Sequence, residues 1–432
     1  MSSSVLAGNT FHPGYLEVLL TGESSGQLWN LAAWDPQSGS TLTTYKGASS
    51  APRTFTALAD TMLVSAQANK PLLNVWMANR HEQQPQKITT PGPLNALTAI
   101  PSGQFLIGGA GDKIYVWQTS TGRIHRVLAS HYQAITCLAT TSDGSHFVSA
   151  GRDGNVLVWS LLTVVSSRRL PGQPRDQGSA PLPRHAWSDH KLAVTDLHVT
   201  VHGIRARVFT ASLDRTAKVY CLLSGHLLLD VSFATPLSSV TVDAGEVNVF
   251  LGSTVGDIHT YSLLDPPRDL KVTEEVRKDT TFKGHTGAVT QLSVSLDGVS
   301  LASGSDDESV RIWDIQSRQT VKVIGHKGKL TLTRFVAPIK GMLEPDLFRP
   351  NLILSTLQKT SLESDKVEFF TRERFEPLKI EAKGAPRSSN DLSDHVANGS
   401  DGAQGEASTD DVEKLKRINQ ELYQFALKQL VN

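Results

Sequence analysis

His285, Ser303 and Asp307 lie in one short stretch, GHTGAVTQLSVSLDGVSLASGSDDESVRIWD at 284–314. These are the side-chain types of a hydrolase triad. In such a triad an imidazole takes the proton of a serine hydroxyl while a buried carboxylate orients the ring. The stretch 131–159, HYQAITCLATTSDGSHFVSAGRDGNVLVW, brings His131, Ser149 and Asp153 at the same Ser–Asp spacing, and 190–220 brings His190, Thr210 and Asp214. Each set ends on an aromatic residue: Trp313, Trp159 or Tyr220. A reaction needs one such constellation, whereas a structural device recurs with the unit that carries it. Recurrence therefore argues against catalysis. No GxxxxGK[ST], HExxH or Cys-x-x-Cys motif occurs, and His12, His81 and His395 have no partners at ligand spacing. The sequence calls for no catalytic residue, cofactor or metal.

The elements that must hold these residues form a repeat. Trp34, Trp76, Trp117, Trp159, Tyr220, Tyr261 and Trp313 mark seven units. Their period is roughly 41 residues, with longer intervals after Trp159 and Tyr261; short alternating strands at that period indicate a propeller. Turn residues recur inside the units, as in SDG at 142–144, LDG at 296–298 and PSG at 101–103, leaving room for four short strands per unit. The pattern over about residues 15–340 resembles the WD-repeat family. The resemblance implies a hydrogen-bonded tetrad of His, Ser or Thr, Asp and an aromatic within a blade. Here the matching residues are His285, Ser303, Asp307 and Trp313; His131, Ser149, Asp153 and Trp159; and His190, Thr210, Asp214 and Tyr220. In LIGGAGDKIYVW at 106–117, Gly111 stands in the Asp position, so that blade must rely on apolar packing. The strand LEVLL at 16–20 lies close before the first Trp-bearing strand, as if an inner strand were missing there. GHKGKLTLTRFVAP at 325–338 can supply it and remove the free sheet edges.

The chain has 432 residues, 39% of them hydrophobic, and its 42 basic residues balance its 42 acidic ones. A strongly nucleic-acid-binding domain is usually basic, so any RNA contact is expected to be local. Cys137 and Cys221 lie in strand-like runs and read as buried, reduced thiols, which suits the cytosol or nucleus. No apolar run approaches the roughly 20 residues that span a membrane, and MSSSVLAGNTFHPG lacks the pattern of a secretory signal.

Three departures from the repeat stand out. The insertion at 166–187 carries Arg168, Arg169 and Arg175, and reads either as a solvated loop tip or as a local contact to RNA or an acidic protein. The segment 265–283 has mixed charge and reads as a surface loop. Beyond the propeller at 1–340, residues 341–382 read as a strand-rich extension packed on the ring, and 383–409 as a disordered linker poor in apolar residues. Residues 410–432 read as a helix, with Val412, Leu415, Ile418, Leu422 and Phe425 on one apolar stripe. Asp410 and Glu413 have capping-box spacing. A helix of this length is marginal alone, so its stripe needs a partner: its own propeller, another protein or, as the leading option, a second copy.

Several stretches carry a narrower resemblance: PGPLNALTAIPSG at 91–103, SHYQAITCLATTSDGSHFVSAGRDGNVLVWSL at 130–161, RHAWSDH at 184–190, SGHLLLDVSF at 224–233 and LKRINQELYQFALK at 415–428. They are similar to the WD repeat-containing protein 18 family and its fungal counterpart. The resemblance implies a non-enzymatic propeller scaffold in the nucleus, in nucleolus and nucleoplasm. Its implied partners are a helical-repeat scaffold protein of the same complex, the pre-ribosomal large-subunit particle and an AAA-type remodelling ATPase. The implied work is maturation of the large ribosomal subunit and removal of an internal transcribed spacer. Because one fold hosts many functions, an adaptor for signalling or for a ubiquitin ligase is the competing reading.

Overall fold

The computed structural model describes residues 17–25, 29–59, 61–84, 87–166, 181–264, 269–273, 281–339, 342 and 354–360, and the backbone of 369–370 and 377–378. Arg168, Arg169 and Arg175, the linker 383–409, and the helix 410–432 with Val412, Leu415, Ile418, Leu422 and Phe425 lie outside the described residues.

Seven sheets of mainly antiparallel strands form a propeller, and in six of them the first strand in the chain is innermost. Blade 1 joins the two ends of the domain: Leu330–Val336 is its inner strand, followed outward by Val18–Glu23, Leu31–Trp34 and Thr41–Tyr45. Blades 2 to 7 follow in chain order, with inner strands Thr56–Leu58, Ala96–Ala99, Ile135–Thr140, Val194–Val199, Leu237–Val242 and Val289–Val294. The closing strand pairs antiparallel along Val18–Glu23, with Leu20 opposite Arg334. This is the closure that the sequence leaves to 325–338.

Both faces of each sheet are covered by neighbours, so the second strands do not alternate between buried and exposed. Strand 146–151 is buried at every residue. Close approach of the blades selects small residues there. At Gly109 a Cβ would meet Ile135 Cγ2 of blade 4 at 2.9 Å. The apolar core is correspondingly divided into seven clusters, each bridging adjacent blades, such as Cys137, Val148 and Val158 of blade 4 with Val208 and Tyr220 of blade 5.

The segment 265–283 departs from its reading as a surface loop. Lys271–Thr273 adds in parallel to the outer strand of blade 5. Thr281–Phe282 is the outer strand of blade 6, and Phe282 is buried against Trp313 with ring centroids 5.6 Å apart. Blade 6 needs a fourth strand, and the long interval supplies it. Likewise His185–Trp187, at the end of the Arg-rich insertion, is the outer strand of blade 4. Both cysteines are free; Cys137 is buried and Cys221 half-buried.

The inner strands surround a central channel of about 620 Å³. One side chain bridges it. Arg53, in the left-handed region at φ 59°, reaches from blade 2 to donate to Cys137 Sγ (3.3 Å), Ser238 O (2.8 Å) and Thr290 O (3.2 Å), and sits 3.6 Å from Asp196 Oδ1. Asp196 in turn accepts from the Val240 and Leu197 amides. Burial pushes the Asp196 carboxyl upward against the pull of Arg53 and these amides, and pushes the Cys137 thiol up to about 12. Breaking such a pair strands a charge, whereas replacing both partners with apolar groups is often tolerated. Arg53→Met should therefore cost about 3 kcal/mol in denaturant unfolding, while Arg53→Met with Asp196→Leu should recover most of that loss. Additive losses in the double variant would show that the two residues act separately.

Candidate functional site

The residues of triad type meet inside blade 7. His285 Nδ1 lies 2.8 Å from Asp307 Oδ2, and its Nε2 lies 2.7 Å from Ser303 Oγ, which also accepts from Trp313 Nε1 at 2.7 Å. Asp307 further accepts from the amides of Thr286 and Ser309 and from the Ser309 hydroxyl. If the His285 Nδ1 proton goes to the carboxylate, Ser303 donates to Nε2 while the indole occupies its oxygen. Blade 4 repeats the arrangement: His131 Nδ1 lies 3.1 Å from Asp153 Oδ2, His131 Nε2 lies 2.9 Å from Ser149 Oγ, and Trp159 Nε1 donates to Ser149 at 3.1 Å. Ser149 and Ser303 are 0% exposed. No substrate carbonyl can reach either hydroxyl, and each is already bonded on both sides. These groups fasten the turn between the second and third strands to the segment entering the inner strand.

Blade 5 differs in one member. His190 bridges Asp214 (3.0 Å) and Thr210 (2.7 Å), but Tyr220 sends its hydroxyl to Asp189 Oδ2 at 3.1 Å rather than to Thr210. The Tyr220 ring instead stacks on Trp187 from blade 4, with centroids 4.2 Å apart. Trp187 supplies the apolar area that an indole would bring within the blade.

A fourth set is split between the chain ends. In blade 1 Trp34 Nε1 donates to Thr21 Oγ1 at 2.7 Å, Glu23 accepts from the Lys327 amide at 3.1 Å, and the His326 ring packs between Trp29 and Trp34. Glu23, two residues after Thr21 rather than four, supplies the carboxylate that Asp supplies in blades 4, 5 and 7, and Ser25 at the Asp position donates to it. The fit is looser, with His326 Nδ1 4.0 Å from Glu23 Oε2 and without a hydrogen bond at either ring nitrogen among the described residues. The Gly-His pair at 325–326 is the sequence signal for this set. It is hidden because its Thr and Trp lie at the far end of the domain and Glu replaces Asp.

Blade 3, with Gly111 in the Asp position, is served from outside the repeat. Residues 354–360 dock on its flank: Trp117 Nε1 donates to Gln358 O at 3.0 Å, the Ser355 amide to Thr119 O, and the Gln358 amide to Gly122 O. Leu354 and Leu357 are buried in the cluster that contains Trp117 and Ile124. Gly122 permits this approach, since a Cβ there would fall 1.9 Å from Thr356 O. Within the range 341–382 the described residues 354–360 dock on the ring without joining a sheet, and 369–370 pairs with 377–378.

Comparison with known proteins agrees with this architecture. The family WD domain, G-beta repeat matches residues 122–160 and 277–314. The chain is 41% identical over 346 residues to WD repeat-containing protein 18 of Rattus norvegicus, covering 80% of this chain and 78% of the relative. The Homo sapiens protein of that name is 40% identical over the same shares. Pre-rRNA-processing protein pro-1 of Caenorhabditis briggsae is 30% identical over 350 residues, covering 78% of this chain and 64% of the relative.

The tetrads make stability depend on pH. Burial outweighs the neighbouring carboxylates and holds His131 and His285 below the ordinary imidazole value, and it brings His326 down to about 4. The unfolded chain then takes the proton first. Stability present above about pH 6.5 is lost as pH falls through that value. Burial alone would raise Asp307, but hydrogen bonds from Ser309, His285 and the Thr286 amide hold it at about 2. Its contribution, present above the unfolded value of 3.8, is lost as pH falls toward about 2. Thermal melts should therefore show the melting temperature falling between pH 7.5 and 5 and again below 4. At neutral pH, Asp307→Ala should cost roughly 1–3 kcal/mol. A melting temperature that stays level from pH 7.5 to 5 would contradict histidines held neutral by the fold.

Proposed function

Because this chain belongs to the WD repeat-containing protein 18 family, we propose that it acts in pre-rRNA processing as a non-enzymatic scaffold subunit of a nuclear complex that matures the large (60S) ribosomal subunit. The observation that carries the reading is the similarity along most of the chain to relatives among which one is named for pre-rRNA processing. Its fit with the structure is chemical: the hydroxyls of triad type are sealed within blades, leaving surfaces for binding rather than a centre for turnover. In this reading the partners are a helical-repeat scaffold protein, the pre-ribosomal large-subunit particle and an AAA-type remodelling ATPase. The complex works in nucleolus and nucleoplasm and supports removal of the second internal transcribed spacer. Arg168, Arg169 and Arg175 make any direct RNA contact, at the insertion in blade 4.

Depleting the protein should raise spacer-containing pre-rRNA severalfold, read by Northern blotting, and affinity purification from nuclear extract should recover large-subunit precursors. Recovery of a cullin system without pre-ribosomes would favour the ubiquitin-ligase adaptor instead.

The reading includes self-pairing of the helix 410–432, so that one assembly receives two propellers. Leu415, Ile418, Leu422 and Phe425 from two copies form the seam. Burying large apolar side chains at roughly 1.5–3 kcal/mol each sets an upper bound on its strength. Light scattering should report a dimer for the full chain and a monomer for Leu422→Asp with Phe425→Asp, with the propeller's melting unchanged. A monomeric wild type at micromolar concentration would sink the self-pairing.

A further inference from the structure

The central channel holds one charge that the fold leaves unused. Arg334 lies on the inner strand of blade 1 and its side chain lines the channel. It makes no hydrogen bond or ion pair among the described residues, and its side chain is exposed to the channel. Asp196 is the one carboxylate among the described lining residues, and Arg53 occupies it. Glu246 is near enough to act on His198, but its oxygens are held by His202 (2.9 Å) and Arg207 (3.1 Å).

The geometry separates the two arginines along the channel. The contacts of Arg53 fall on the second or third residue of their inner strands: Cys137, Asp196, Ser238 and Thr290. Arg334 and His198 are the fifth residues of theirs. At about 3.3 Å per residue, they lie roughly 7–10 Å further along. One end is therefore bridged by a neutralised arginine, and the channel beyond it carries a bare guanidinium. His198 reaches in from blade 5; burial and the charge of Arg334 bring its pKa down to about 4, so near neutral pH it can donate one hydrogen bond. Gln291 of blade 7 has a buried Nε2 without an acceptor among the described residues, but as a third residue of its strand it belongs to the Arg53 end. Around these groups the wall is mixed, with Thr140, Thr241, Ser293 and Thr333 beside leucines whose side chains pack between the blades.

We propose that the channel binds a single anionic group, a carboxylate or phosphate, held by the Arg334 guanidinium with His198 as a further donor. A guanidinium can donate two parallel N–H bonds to two oxygens of either group. Arg334 is exposed to the channel, so the ligand has to displace water from the guanidinium rather than relieve a buried charge. The volume suits a small ligand or a few peptide residues, since pockets of roughly 300–1,000 Å³ hold such molecules. The same chemistry can come from a free small anion or from an acidic side chain of a peptide entering the channel.

The test uses the full chain and calorimetric titration with three probes: inorganic phosphate, acetyl-Leu-Glu-Leu-amide, and the same peptide with Gln in place of Glu. At least one anionic probe should bind at millimolar concentration or below, and the Gln peptide should not. R334Q should weaken binding about tenfold or more, with R334K intermediate. Binding of phosphate alone identifies a free small anion; binding of the Glu peptide alone identifies a peptide carboxylate. R334Q should also melt no lower than wild type, because no described residue uses the guanidinium. The proposal is overturned if neither anionic probe binds, if wild type and R334Q bind alike, or if R334Q melts well below wild type, which would make Arg334 a brace of blade 1.

Discussion

A four-stranded sheet of this protein has two apolar faces, and neither can be left in water. Each face is covered by the next blade, so every blade depends on two neighbours, and the dependence ends only when the ring closes. That closure rests on the pairing of 330–336 with 18–23. Without it, blade 1 would lose its inner strand, and clusters on both its sides would open: Leu332 and Ile339 toward blade 2, Leu330 and Phe335 toward blade 7. The division of the core into inter-blade clusters follows from the same geometry. There is no central apolar core because the inner strands turn their free edges toward the channel.

Tight packing between sheets creates a second demand, on polar atoms. A tryptophan on the third strand fills the space between blades but brings an N–H that must be bonded. The blades meet that demand by different means. Trp159 and Trp313 use the serine of a tetrad, and Trp34 uses Thr21. Trp76 uses the carbonyl of Lys46, and Trp117 that of Gln358, outside the repeat altogether. The tetrad is thus one solution among several to a constraint common to the ring. This explains why degenerate repeats fold beside complete ones, and why residues of hydrolase type recur without a reaction.

The seven third strands were legible in the sequence because each carries a large aromatic at a steady spacing, and local turns punctuate the rest. The tetrads on 131–159 and 284–314, and the His, Thr and Asp of the set on 190–220, were legible for the same reason, their members being near in sequence; Tyr220 turned instead to Asp189. What escaped was long-range. Arg53 meets Asp196 and Thr290 only across the channel, and nothing adjacent to it in the chain marks the encounter. The His326 set divides its members between the two ends. Gln358 serves Trp117 through a backbone carbonyl, which any residue type can offer. The segment 265–283 misled because its charges are those of a solvated loop, while among its described residues Thr281 and Phe282 carry the burial.

The composite blade also sets an order of events during synthesis. The strand 18–23 is among the first parts of the domain to leave the ribosome, and its inner partner is made roughly 300 residues later. At ~5–20 residues per second, that separation is on the order of 15–60 seconds. Throughout that interval the Leu19 and Leu20 strand has one bare edge, and blades already made flank an open gap. The nascent propeller is an arc with two adhesive ends until its last strand arrives. Synthesis of the final tenth of the domain, rather than of its bulk, turns that arc into a ring.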